Sequence, residues 1–190
     1  MKIVGLLLAA GSATRFGSDK LSHALPHGVP IAVQAARHLK AELAEVIAVI
    51  RDAKLRALFE REGCSAVLCE NAAEGMGASL ACGARAAGRR DGYIVALADM
   101  PFVRPSTIRA VRESLERGAA VTAPYWHARR GHPVGFAGSF YEELIALRGD
   151  EGARQILAAN EKRLMKIPVG DPGVVRDIDT PDDLAPPVRV

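Results

Sequence analysis

The apolar positions of the chain come in two rhythms. Ile3, Val4, Gly5, Leu6, Leu7, Leu8, Ala9 and Ala10 form an almost unbroken apolar run, the pattern of a parallel strand covered on both faces. Ile31, Val33, Ala35, Ala36, Leu39 and Leu43 then recur at helical spacing, which predicts a helix over 30–43, and a second apolar run predicts a strand over 46–50. A polar-faced helix over 54–62, a strand over 64–69, a small-residue helix over 77–87, a strand over 93–98 and a helix over 104–117 follow, the last with Pro105 suited to its first turn. Such alternation marks a mostly parallel sheet with crossover helices. Past residue 118 the rhythm changes. Strands over 119–123 and 134–137 flank a polar loop over 126–132 and predict a small β-rich insertion. Helices over 139–147 and 152–160, strands over 164–169 and 174–178 around the turn Gly170-Asp171-Pro172-Gly173, and a capped helix from Thr180 complete the reading.

With 190 residues, 49% of them hydrophobic, the chain fills one core and is short for two, so a single domain over 1–190 is expected. A net charge of +3 is mild. The basic residues are scattered rather than gathered among aromatics, which argues against a nucleic-acid partner and for a local anion site. Cys64, Cys69 and Cys82 are odd in number and contain no Cys-x-x-Cys pair, so reduced core thiols are expected. No stretch approaches the roughly 20 apolar residues of a membrane span. The apolar run at the start merges into a glycine-hinged loop, unlike a signal peptide, so a cytoplasmic protein without a membrane partner is expected.

That loop holds the first candidate chemistry. Gly11 and Gly17 allow a sharp turn and close approach to a ligand, amides in such a turn make an anion-binding concavity, and Arg15 and Lys20 add positive charge. Five residues separate the two glycines, which excludes the Gly-x-Gly-x-x-Gly dinucleotide fingerprint, and Gly17-Ser18-Asp19-Lys20 excludes a Walker A loop. An ordinary strand-to-helix turn with solvated cations is the alternative.

Acidic groups stand at two strand ends. Asp99, directly after Val95-Ala96-Leu97-Ala98, sits where ligands of open parallel sheets bind, and its carboxylate suits Mg²⁺; capping the turn before Pro101 is the other reading. At the end of the expected strand over 174–178, alternation puts Asp177 and Asp179 on one side, and one of them could supply a second oxygen ligand. Asp182 and Asp183 complement the dipole of the last helix.

Three segments together resemble the molybdopterin nucleotidyltransferases, the MobA-like NTP transferase superfamily, and in particular its molybdenum cofactor cytidylyltransferase branch. They are Leu8-Ala9-Ala10-Gly11 through Arg15-Phe16-Gly17 and Lys20, then Ala98-Asp99-Met100-Pro101, and Asp177-Ile178-Asp179-Thr180-Pro181-Asp182-Asp183-Leu184. Gly75-Met76-Gly77-Ala78-Ser79, Gly131-His132-Pro133-Val134-Gly135-Phe136 and Gly149-Asp150-Glu151-Gly152-Ala153-Arg154 add to the likeness, which covers residues 2–184. Ala10, where guanylyl-transferring relatives usually carry glycine, favours the cytidylyl branch. Ser22-His23-Ala24-Leu25-Pro26-His27-Gly28 departs from the usual apolar run, and its histidines are either solvated or on the acceptor side.

The resemblance implies an α/β, three-layer, Rossmann-like nucleotidyltransferase fold with helices on both faces of the sheet. It implies transfer of CMP from Mg-CTP to the terminal phosphate of molybdenum-bound molybdopterin, with release of pyrophosphate and handover to a molybdenum hydroxylase. Leu8, Ala9, Ala10, Gly11, Arg15, Lys20, Gly77 and Ser79 would bind nucleotide, with Arg15, Lys20 and Asp99 catalytic and Mg²⁺ on Asp99 and Asp179. His132, Asp150 and Arg154 would face the acceptor. Ser79 equally suits a helix cap, His132 a structural histidine, and Asp150 with Arg154 a cap and a surface charge. Transfer from GTP or another NTP to a different phosphate acceptor, and a cofactor-binding module without turnover, are the rival readings.

Overall fold

Strand β1 (Ile3–Ala9) is buried along its whole length, as its apolar run requires. The computed structural model describes residues 1–11, 16, 20–150 and 152–185. After β1 come α1 (Ile31–Lys40), β2 (Glu45–Ile50), α2 (Arg56–Glu60), β3 (Ser65–Leu68), α3 (Met76–Ala87), β4 (Gly92–Leu97) and α4 (Pro105–Glu116). The second part of the chain adds β5 (Val121–Trp126), β6 (Arg129–Arg130), β7 (Val134–Ala137), α5 (Tyr141–Ala146), α6 (Arg154–Ala159) and β8 (Leu164–Pro168).

The described strands form one sheet in the order β3-β2-β1-β4-β7-β5-β6, with β8 paired to β5. The pairs β1–β2, β1–β4, β2–β3 and β5–β8 are parallel, and β7 enters antiparallel to both β4 and β5. The alternation of β1 sorts the core into two layers. Ile3, Leu7 and Ala9 pack with Ala36 and Leu39 of α1, Phe59 of α2 and Ile108, Val111 and Leu115 of α4. Val4, Leu6 and Leu8 face the other way, against Leu80 and Ala84 of α3, Leu144 of α5 and Ile156 and Leu157 of α6. The expected α/β sheet with helices on both faces is therefore present.

Three expectations need correcting. The strand over 174–178 is absent: Asp171 accepts a hydrogen bond from Gly173 N–H and starts a 3₁₀ helix, Pro172–Val175, which uses the apolar pair Val174-Val175 for packing rather than for a ladder. The last helix is one 3₁₀ turn, Pro181–Leu184, closed by a capping box between Thr180 and Asp183. The loop over 126–132 contains β6, which pairs back onto Tyr125 and Trp126. The three cysteines are free thiols, Cys64 and Cys69 in the core as expected and Cys82 only half-buried. No helix of the described residues is long and apolar enough to cross a membrane.

Candidate active site

The carboxyl ends of β1 and β4 meet at one edge of the sheet, because Leu8 pairs with Leu97 and Ala98 N–H donates to Leu8 O at 3.0 Å. Asp99 follows at once. Its carbonyl accepts from Ile178 N–H at 2.9 Å, which brings the segment carrying Asp177 and Asp179 onto the same edge. The 3₁₀ helix Lys20–Ser22, reached from β1, delivers Lys20. Lys20 Nζ lies 2.9 Å from Asp99 Oδ2 and 3.5 Å from Asp179 Oδ1, with only 9% of its side chain exposed. Arg15 and Gly17 lie outside the described residues, as do the other residues of 12–15 and 17–19.

The carboxylate oxygens of Asp99, Asp177 and Asp179 all fall within 4.8 Å of one another. Among the described residues three carboxylates face one ammonium, and the donors are all hard oxygens. This set fits a divalent ion of the Mg²⁺ or Mn²⁺ type. Burial raises the Asp99 carboxyl above its ordinary range; Lys20 works against that and the Asp177 charge adds to it. Asp183, read from sequence only as a dipole partner, accepts hydrogen bonds from Asp179 N–H at 3.1 Å and from the Thr180 N–H and Oγ1, each at 2.8 Å. It fixes the backbone on which Asp179 stands, and those hydrogen bonds, Thr180 first, hold its own carboxyl below the usual range. Asp177 was legible as half of an alternating pair; its equal approach to the cluster was not.

At the start of α3, Gly77 and Ser79 both bond within the protein. Gly77 N–H donates to Gly149 O at 2.8 Å, and a Cβ on Gly77 would meet Arg148 O at 2.6 Å. Ser79 is buried and its Oγ donates back to Gly75 O at 3.3 Å. Asp150 accepts a long hydrogen bond from Met76 N–H at 3.4 Å. These contacts dock the segment 148–150 on α3, with exposed Arg154 just beyond it.

His132 N–H donates to Val174 O at 2.8 Å, next to Gly131, whose missing Cβ would stand 2.3 Å from the same carbonyl. Its Nδ1 is buried without a hydrogen-bond partner, and burial pushes the imidazole down to about 4, which keeps it neutral near pH 7. Burial also lowers His38, whose Nδ1 is 2.7 Å from Val103 O. His23 and His27 are exposed, His23 edge-on to Phe16. A cleft of about 340 Å³, lined by Arg51, Leu68, Cys69, Glu70, Ala72 and Ala73, opens at the carboxyl ends of β2 and β3.

Residues 5–164 match the MobA-like NTP transferase domain. The chain belongs to the MobA-like NTP transferases. It is 27% identical to the purine catabolism protein PucB of Bacillus subtilis, over 95% of this chain and 93% of that protein. It is equally 27% identical to the nicotine blue oxidoreductase of Paenarthrobacter nicotinovorans, over 96% and 94%. Among solved structures, Rv0371c of Mycobacterium tuberculosis superposes with a TM-score of 0.80 at 25% identity, over 96% of this chain and 95% of that one. Its manganese complex gives 0.76 at the same identity, over 96% of each chain. As a MobA-like NTP transferase the chain is a nucleotidyltransferase enzyme, and Lys20 and the carboxylate cluster stand at the strand edge where an open α/β sheet receives its ligand.

Proposed function

We propose that this nucleotidyltransferase moves CMP from Mg-CTP to the terminal phosphate of molybdenum-bound molybdopterin. An oxygen of the acceptor phosphate attacks the α-phosphorus, the bond from the α-phosphorus to the bridging oxygen breaks, and pyrophosphate leaves with that oxygen. The observation that carries the reading is the convergence of Lys20 with Asp99, Asp177 and Asp179 at the ends of β1 and β4. The cytidylyl and molybdopterin parts rest on the motifs Leu8-Ala9-Ala10-Gly11, Gly131-His132-Pro133 and Gly149-Asp150-Glu151-Gly152-Ala153-Arg154.

Phosphoryl chemistry of this kind asks the protein for positioning and charge rather than covalent help. The amides after Leu8, Ala9, Ala10 and Gly11 hold phosphate oxygens, while Arg15 and Lys20 set cations against the triphosphate. Asp99, Asp177 and Asp179 would hold the Mg²⁺, which when bound would neutralise phosphate charge and stabilise the leaving group. A manganese complex of Rv0371c supports a divalent ion in this family. The cleft beside Arg51 and Glu70 is large enough for a nucleoside. Gly77 acts indirectly, by seating the 148–150 segment, while the Ser79 hydroxyl bonds Gly75 O at the start of the same helix; Asp150 on that segment and Arg154 beyond it meet the acceptor.

Release of pyrophosphate, measured with CTP, GTP, ATP and UTP, each with and without molybdenum-loaded molybdopterin, tests the reading. Release confined to CTP plus the cofactor is expected. Release with GTP instead moves the chain to the guanylyl branch, and the absence of release with all four nucleotides rejects turnover.

A further inference from the structure

Asp171 is a charged residue with only 3% of its surface exposed, and three donors converge on it. Its Oδ1 accepts from Gly173 N–H at 3.1 Å, while its Oδ2 accepts from Arg104 N–H at 2.8 Å and from the Thr107 hydroxyl at 2.7 Å. The Arg104 guanidinium, 3.8 Å from Oδ1, supplies the countercharge. A carboxylate taken this far out of water is stable only when both oxygens are engaged. Helix α4 has no side-chain cap of its own, so Asp171 also closes its N-terminus from a remote segment.

Two arms of the active-site edge leave from this carboxylate. One runs back from Arg104 through Phe102 to Asp99; the other runs forward from Asp171 through Gly173 to Asp177 and Asp179. They stay side by side. A Cβ on Gly173 would run into Phe102 O, the Arg176 guanidinium lies 5.4 Å from the centre of the Phe102 ring, and Ile178 N–H donates to Asp99 O at 2.9 Å. Asp171 therefore closes one end of a paired strap whose other end carries the carboxylates of Asp99, Asp177 and Asp179.

We propose that Asp171 is a positioning residue for the carboxylate centre: by tying the roots of the two arms, it fixes where Asp177 and Asp179 stand relative to Asp99. The assignment rests on the reading of that cluster as a metal centre. Only an acidic side chain meets the demand. Asparagine presents a single acceptor oxygen, so it can keep Gly173 or the Arg104 and Thr107 pair, but not both.

Two readouts on the full chain test the assignment: Mn²⁺ affinity by electron paramagnetic resonance, and the scalar coupling across the hydrogen bond from Ile178 N–H to Asp99 O by nuclear magnetic resonance. Asp171→Asn should weaken Mn²⁺ about fivefold, because the arms are joined in about a fifth of the molecules, and the coupling should shrink in the same proportion. Thr107→Val, which removes one donor and keeps the side-chain shape, should move both readouts the same way by about twofold, and it carries the test where Asp171→Asn does not fold. Phe59→Leu, a core change on α2 away from both arms, should lower the urea midpoint and leave Mn²⁺ affinity unchanged. Undiminished affinity or an intact coupling in Asp171→Asn overturns the proposal, and so does an equal loss of affinity in Phe59→Leu, which would trace the effect to stability alone. If wild type binds no Mn²⁺ while Asp171→Asn still loses the coupling, the metal reading falls and the positioning of the two arms stands; if wild type binds Mn²⁺ and both strap variants match it, only the positioning falls.

Discussion

Lys20 Nζ donates to Asp99 Oδ2 at 2.9 Å, joining the first loop to the end of β4 across 79 residues of sequence. The same ammonium reaches Asp179 at 3.5 Å. A lysine in this place does two opposing things: it neutralises carboxylates that would otherwise repel one another, and it competes with a metal ion for the same oxygens.

That competition has a sign that can be measured. Lys20→Met removes a unit charge from the cluster. At an effective dielectric constant near 20 the ammonium and a metal ion repel by a few kcal/mol, of which solvent leaves about 1–2 kcal/mol. Mn²⁺ bound without nucleotide, followed by electron paramagnetic resonance, should therefore tighten about tenfold, while turnover falls about a hundredfold or more because the triphosphate loses its cation. Weaker Mn²⁺ binding in this variant contradicts the arrangement.

Asp177 is exposed, yet it lies within the 4.8 Å cluster. Asp177→Asn should weaken Mn²⁺ about tenfold and leave the urea midpoint within the range of ordinary surface substitutions, about 0.5 kcal/mol. Unchanged metal affinity removes Asp177 from the site.

Gly131 has no room for a side chain, since its Cβ would stand 2.3 Å from Val174 O and 2.6 Å from Val174 Cβ. Gly131→Ala must push the His132 segment away from Val174. A loss of about 1–3 kcal/mol in urea denaturation is expected. Full stability with an alanine at 131 contradicts the packing.

Low pH should destabilise the fold through histidine. Burial holds His132 at about 4 against an ordinary 6.5, and burial lowers His38 as well. Below 6.5 the unfolded chain takes up protons that the folded chain refuses, so this contribution is full above 6.5 and is lost as the pH falls towards 4. Urea midpoints measured from pH 7.5 to pH 4.5 should drop less steeply in His132→Gln than in wild type. Parallel curves contradict a buried neutral His132.

The sheet was legible because burial on both faces leaves an unmistakable mark: residues 3–10 could hardly be anything but a central strand. Lys20 and Asp99 were legible for a related reason, each being a charged group directly after such a strand or its loop. The region after residue 170 was not. Val174 and Val175 are apolar in either a strand or a 3₁₀ helix, and the choice was made by the Asp171 side chain, whose bonds to Gly173 N–H, Arg104 N–H and Thr107 Oγ1 are set by the tertiary fold. The packing at the start of α3 was not legible either: the open sides of Gly75 and Gly77 are taken by the backbone of 148–150, a contact between residues about seventy positions apart.

The most direct measurement is the rate of pyrophosphate release from Mg-CTP with molybdenum-loaded molybdopterin, wild type against Asp99→Asn. If the Lys20-carboxylate centre carries transfer, wild type turns over and the variant is slower by about a hundredfold or more. Equal rates in the two proteins, with magnesium still required, would show that the centre at the ends of β1 and β4 is not where the chemistry happens.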